Sequence, residues 1–111
     1  VEWRRDGTNC IEPAYGWDHS IGRPTVWHDG QRFHMWFCYR GDHYRIGYAS
    51  SDDGITWERD DALAGIDGSG ETWDSRDQCY PFVLQAGERL LMLYCGNDYG
   101  NGGVGIAERF L

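Results

Sequence analysis

One segment of this 111-residue chain occurs twice. PTVWHDGQRFHMWFCY, starting at Pro24, aligns without a gap on PFVLQAGERLLMLYCG, starting at Pro81. Val26 and Val83, Gly30 and Gly87, Arg32 and Arg89, Met35 and Met92, and Cys38 and Cys95 coincide. After one inserted residue, Gly47-Tyr48-Ala49 falls on Gly105-Ile106-Ala107. Upstream, Trp17-Asp18 precedes the first copy much as Trp73-Asp74 precedes the second, and Trp3-Arg4-Arg5-Asp6 resembles Trp57-Glu58-Arg59-Asp60. Self-similarity at such a period restricts the chain to repeat architectures, in which each unit buries its apolar face against a neighbour.

Each unit reads as short strands separated by turns. Thr25 to His28 ends at Asp29-Gly30, a hairpin dipeptide that tolerates positive φ. Arg32 to Tyr39 alternates, with Phe33, Met35, Phe37 and Tyr39 on one face and His34, Trp36 and Cys38 on the other; both faces are bulky, so both are expected to be covered. Tyr44 to Ala49 and Ile55 to Arg59 follow, after Arg40-Gly41-Asp42-His43 and Ser51-Asp52-Asp53-Gly54. Four consecutive strands on short turns make an antiparallel meander, the blade of a β-propeller. The fold class is therefore all-β, with two blades, residues 23–59 and 80–111. The second blade has only three strands of its own, and residues 1–6 read as a fourth strand without companions. Unpaired edges leave unsatisfied backbone donors and acceptors. The expectation is that Val1 to Arg5 completes a blade by strand exchange in a cyclic homo-oligomer, three copies giving six blades. A piece of a longer propeller polypeptide is the alternative.

Eighteen acidic residues against ten basic ones, all Arg, give a net charge of −8. That repels phosphate backbones and anionic lipid, so neither nucleic acid nor membrane is an expected partner. No apolar run approaches the ~20 residues of a membrane span and no leader opens the chain as given, so the compartment is unknown. Cys38 and Cys95 fall on equivalent strand positions, whereas Cys10 and Cys79 read as loop residues. None has the C-x-x-C spacing of a zinc site. Four reduced thiols are expected, which tilts the compartment toward the cytoplasm; no metal or cofactor is called for.

Ser50-Ser51-Asp52-Asp53-Gly54-Ile55-Thr56-Trp57 fits S-x-D-x-G-x-T-W and resembles the Asp-box of sialidases. The resemblance implies a folding element, with Ser50, Asp52, Gly54, Thr56 and Trp57 in structural roles away from any active site. The wider run RPTVW...G..F.MWFCYR....YRIGYASS.DG..W, followed by WDS....YP, is similar to the repeats of glycosidase-like five-bladed propellers, the group that contains glycoside hydrolase families 32, 43 and 130. That resemblance implies a carbohydrate ligand and carboxylates drawn from several blades around a central channel. No WMNDPNG-like catalytic signature accompanies it.

Strands of a meander alternate in direction, so strand-one entry loops and the turns between strands two and three share one face. That face collects Asp18, His19, Arg23, Asp74, Arg76, Asp77 and Tyr80 from entry loops, and Arg40, Asp42, Tyr44, Asn97, Asp98 and Tyr99 from turns. Aromatics with carboxylates, amides and Arg suit sugars, whose C–H faces stack and whose hydroxyls take polar contacts. Glycoside hydrolysis needs two carboxyl groups, one with a raised pKa. Asp18, Asp74 and Asp77 are the candidates; the recurrence of the first two fits turn chemistry as well. His19, Arg23, Arg40, Asp42, Tyr44, Arg76, Tyr80, Asn97, Asp98 and Tyr99 are the candidate sugar contacts. The loop glutamates, Glu12 and Glu71, lie far from strand starts. Hydrolysis, sugar binding without catalysis, and a purely structural repeat module all remain open.

Overall fold

The computed structural model describes residues 1–70 and 72–111, so Glu71 lies outside the described residues. Seven strands form two antiparallel sheets: β1 (His19–His28), β2 (Phe33–Arg40), β3 (Tyr44–Ser51) and β4 (Glu58–Arg59) in one, β5 (Cys79–Ala86), β6 (Arg89–Cys95) and β7 (Val104–Phe110) in the other. Strand order in each sheet follows chain order, which is the meander that the repeat implies.

Equivalent residues hold equivalent registers. Val26 pairs with Met35 and Met35 with Ala49, as Val83 pairs with Met92 and Met92 with Ala107. The two-sided burial of β2 follows from its alternation. Met35, Phe37 and Tyr39 pack with Ala49 under Ile11, Ile21 and Trp57. On the opposite face Trp36, Ile46 and Tyr48 meet Val83, Leu90 and Tyr94 of the second sheet. The two first strands lie together between the sheets, tied by Val83 N–H to Thr25 Oγ1 at 3.1 Å and by Trp27 Nε1–H to Gln85 Oε1 at 3.0 Å.

Several sequence expectations are corrected. The first strand starts at His19, not at Arg23 or Thr25, and Cys79 opens β5 rather than lying in a loop. Both early starts were hidden by bulges: pairing is irregular between Gly22 and Thr25 and between Cys79 and Phe82. The fourth strand spans only Glu58–Arg59, because residues 53 to 57 are folded into the preceding turn. Residues 1–9 form no strand within the single chain, and residues 4–8 lie beside Gly54 and Ile55.

That turn is held by side chains one residue later than the motif alignment places them. Asp53 Oδ1, not Asp52, accepts from the N–H groups of Ile55 and Thr56, both at 2.8 Å. Ser51 Oγ, not that of Ser50, accepts from Gly54 N–H at 2.8 Å. Gly54 supplies the left-handed φ of 75°, and Trp57 Nε1–H closes on its carbonyl at 3.2 Å. Asp52 instead makes an exposed ion pair with Arg32, 3.2 Å away, linking this turn to the Asp29–Arg32 hairpin on the same face.

Candidate functional site

The opposite face gathers most of the predicted contacts into one groove between the sheets. Arg40, Asp42, His43 and Tyr44 from the β2–β3 turn line it with Arg76 and Asp77 before β5 and with Asp98 and Tyr99 from the β6–β7 turn. It encloses about 270 Å³, a shallow groove just under the ~300–1,000 Å³ of closed ligand clefts. Two Arg face three Asp there, so the groove is close to charge-balanced in a chain of net charge −8.

Hydrogen bonds across the sheet junction hold these groups. Asp77 accepts from Tyr44 N–H through Oδ1 and from Asp98 N–H through Oδ2, both at 3.1 Å. Asn97 stands behind it: its Oδ1 takes the N–H groups of Arg76 and Asp77 at 2.9 and 2.8 Å. Arg76 ion-pairs with Asp77 at 3.4 Å and with Asp98. Arg40 has no carboxylate partner among the described residues. It lies 5.4 Å from the Tyr44 ring centre and donates to Tyr99 Oη at 3.0 Å, while the Tyr44 and Tyr99 rings meet edge to face at 5.5 Å. The guanidinium is thus oriented by aromatic groups with most of its donors left open.

The backbone is held against its preferences around this groove. Asp98 and Tyr99 have φ of 54° and 58°, and Arg23 and Tyr80 have φ of 53° and 55°. Arg23 and Tyr80 are repeat equivalents, each directly before a proline, where extended backbone is preferred. Each sits at the bulge of its first strand, and the Arg23 guanidinium lies 5.2 Å from the Tyr80 ring centre. Such residues are destabilised by about 1–3 kcal/mol each and concentrate at functional sites. The pair lines a second depression beside Pro24, Pro81, Val26 and Phe82. Alternation gives no signal for a left-handed residue that is not glycine, so the sequence named these side chains without revealing their strain.

The three candidate acids are all held ionised. Asp18 is buried and does not line the groove. Burial pushes its carboxyl up, but the N–H groups of Tyr15 and Ala14 and the Arg59 guanidinium outweigh that and hold it below the usual carboxylate range. Arg59 bridges Asp18 and Asp61, each at 2.8 Å, and its guanidinium lies 4.8 Å from the Tyr15 and Tyr39 ring centres. No local pattern signals this clamp, because Asp18 lies 41 residues from Arg59 in the chain. Asp74 is lowered first by the Ser69 hydroxyl and, against burial, by Tyr94 and Thr72; its bond from Tyr94 Oη is 2.7 Å. It too lies away from the groove. Asp77 alone of the three lines it, and although burial pushes its carboxyl up, the donors from Asp98, Tyr44 and Arg76 bring it below the ordinary value.

His19 stays outside the groove, exposed, with Nδ1 2.9 Å from Ser20 Oγ. Arg45, which sequence reasoning passed over as a strand residue, lines an adjoining polar depression with His43, Arg76 and Gln78. His34 is satisfied by Tyr48 Oη at 2.6 Å and Asp29 Oδ2 at 2.9 Å, a packing role. Among the described residues no group of three His, Cys, Asp or Glu is placed to hold a metal.

No protein-family model matches the chain. Two curated proteins of Mycobacterium tuberculosis, "Uncharacterized protein MT1551" of strain CDC 1551 / Oshkosh and "Uncharacterized protein Rv1502" of strain ATCC 25618 / H37Rv, are each 38% identical over 107 residues. The match takes in 96% of this chain and 36% of theirs, so the chain spans about a third of the length of these relatives. Among solved structures, a glycoside hydrolase superposes with a TM-score of 0.69 at 18% identity, over 90% of this chain and 35% of that one. One from a study of the GH130 family, described as mannoside phosphorylases that contain glycoside hydrolases targeting β-1,2 mannosidic linkages in Candida mannan, gives 0.72 at 17%, over 96% and 37%. A thermostable family-43 glycoside hydrolase gives 0.54 at 20%, over 93% and 32%. With its paired meanders, equivalent bulges and inter-sheet groove, the chain has the fold of a glycosidase-like β-propeller.

Proposed function

We propose that this chain forms part of a carbohydrate-active propeller and that its inter-sheet groove binds a neutral saccharide. The observation that carries the proposal is the open-donor Arg40, oriented by Tyr44 and Tyr99 beside the fixed carboxylates of Asp77 and Asp98. Tyr44 and Tyr99 offer ring faces to sugar C–H groups; Arg40, Asp42 and Asp98 offer donors and acceptors to hydroxyls. Near charge balance disfavours a strongly anionic or cationic ligand. Arg23 and Tyr80 extend the surface along the first strands.

None of the three candidate acids is set up as a proton donor. Hydrolysis needs one protonated carboxyl, and Asp18, Asp74 and Asp77 are all lowered. Asp77 is the one candidate placed to act as an ionised partner, a base or a nucleophile; Asp18 and Asp74 are turn clamps. The test is a glycan-array screen, followed by calorimetry on any neutral glycan that binds. Arg40→Ala and Tyr99→Ala should each weaken binding by about tenfold, the scale of ~1.4 kcal/mol. Unchanged affinity in both variants, or binding confined to acidic glycans, would overturn the assignment. A panel of aryl glycosides tests for turnover, and any activity that survives Asp77→Asn intact removes Asp77 from the chemistry.

A further inference from the structure

Three of the four free thiols, Cys38, Cys79 and Cys95, gather at the bulged end of the two sheets. Cys79 opens β5 and stands directly opposite Cys95, the last residue of β6, in the antiparallel ladder. Residues paired in this way point to the same side of a sheet, with Cα atoms about 4.5–5.5 Å apart, inside the ~4.4–6.8 Å that a disulfide spans. The repeat makes the pair an exception, because the first sheet holds Gly22 and Cys38 at the same two positions. The bulge therefore needs no sulfur on its first strand, and Cys79 is an addition peculiar to the second unit. Cys38 has other partners: its thiol donates to the Gly22 carbonyl at 3.5 Å and accepts from Tyr80 N–H. Cys95 Sγ lies against the β6–β7 turn, where a Cβ on Gly100 would come within 3.2 Å of it.

We propose that Cys79 and Cys95 are a redox-active pair, closing a reversible disulfide across β5 and β6 when the protein meets hydrogen peroxide. Cys95, half-buried, reacts first. Its thiolate attacks one peroxide oxygen, the O–O bond breaks, and Cys95 becomes a sulfenic acid while the proton lost on ionisation leaves in water. Cys79 Sγ then attacks the sulfenic sulfur, the S–O bond breaks, and a second water departs with the Cys79 proton. Two thiols and one peroxide thus give one disulfide and two waters; the sulfurs lose the two electrons that the peroxide gains. Burial, with the Cys95 and Cys38 sulfurs adding to it, pushes the Cys79 thiol up to about 12, which suits the second role and not the first. The strand ends are already held together, since Asp77 and Asn97, two residues outside the pair on either side, are joined at 2.8 Å. The bridge adds a covalent tie to that junction, and it does not depend on the sugar reading.

Peptide mapping tests it directly, because the chain has no Lys and cleavage by trypsin after Arg leaves each cysteine on its own peptide. Cys10 falls on residues 6–32, Cys38 on 33–40, Cys79 on 77–89 and Cys95 on 90–109. The folded protein is treated with hydrogen peroxide, its remaining thiols are blocked with iodoacetamide, and the digest is weighed by mass spectrometry. The expected result is peptide 77–89 joined to 90–109, with the intact chain lighter by two hydrogens and the thiol titre down from four to two. Dithiothreitol should restore all four. Cys38→Ala should bridge as the wild type does, and Cys95→Ala should not bridge at all. A link through Cys38 or Cys10, a link between chains, or Cys95 carried to sulfinic acid without a bridge would overturn the proposal. So would four thiols that titrate unchanged after peroxide. Should Cys38→Ala fail to fold, the wild-type peptide map decides alone.

Discussion

Replacing Arg59 with Met removes the positive centre of a buried cluster while keeping most of the side-chain stem. In the native chain its guanidinium holds Asp18 and Asp61 at 2.8 Å each, and all three side chains are nine-tenths buried or more. It also donates to the Glu12 carbonyl at 3.1 Å and lies 4.8 Å from the Tyr15 ring centre. An exposed ion pair contributes ~0–1 kcal/mol, but removing one member of a buried pair strands the other charge at a cost of about 3–5 kcal/mol. Asp18 keeps two backbone donors and Asp61 keeps Tyr15 Oη at 2.8 Å, which places Arg59→Met toward the lower end, about 3 kcal/mol. Urea unfolding followed by tryptophan fluorescence reads this as a fall in midpoint at unchanged slope. A companion Asp18→Asn variant should couple to it, because the two residues share one network. A loss below about 1 kcal/mol, or additivity of the two substitutions, would refute the clamp and reopen Asp18 as a functional carboxylate.

Acid should destabilise the protein in a defined window. Asp18, Asp74 and Asp77 have folded-state values below the unfolded one of ~3.9, so their contribution is complete above that value and is lost as pH falls through the folded values. A stability curve flat from pH 4 to 2 would contradict this. Gly105→Ala places a Cβ 2.2 Å from Trp73, and overpacking of this kind typically costs about 1–3 kcal/mol; a neutral result by thermal melting would mean that the indole moves freely. Tyr80→Gly should relieve the left-handed strain and leave stability unchanged or raise it, while weakening saccharide binding, which calorimetry separates from the melting curve.

The sheets were legible because the repeat and the alternation act locally and recur: strand β2 carries both its faces in its own residue order, and the 57-residue offset between Pro24 and Pro81 carries over to the paired registers. The strand starts were not legible, because Arg23 and Tyr80 stand at bulges where pairing skips residues and a proline follows. The turn contacts fall one residue later than the motif alignment expects because Ser50-Ser51 and Asp52-Asp53 are doublets, and only geometry decides which member turns inward. The shared face of entry loops and turns follows from strand direction, so the groove could be assembled residue by residue. What separated Asp77 from Asp18 and Asp74 was long-range bonding to Tyr44 and Asp98, against contacts that stay with Arg59 or with Ser69 and Tyr94. No pattern along the chain encodes those partners.

Under the proposed function the inter-sheet face, and not its opposite, recognises sugar. Backbone amide shifts recorded while a panel of neutral monosaccharides and disaccharides is titrated in test it directly. A binding sugar should move the signals of residues 40–44, 76–77 and 97–99 and leave the hairpin at Asp29–Arg32 and the turn at Ser51–Trp57 in place. Shifts concentrated at those two turns, or none with any saccharide, would contradict it.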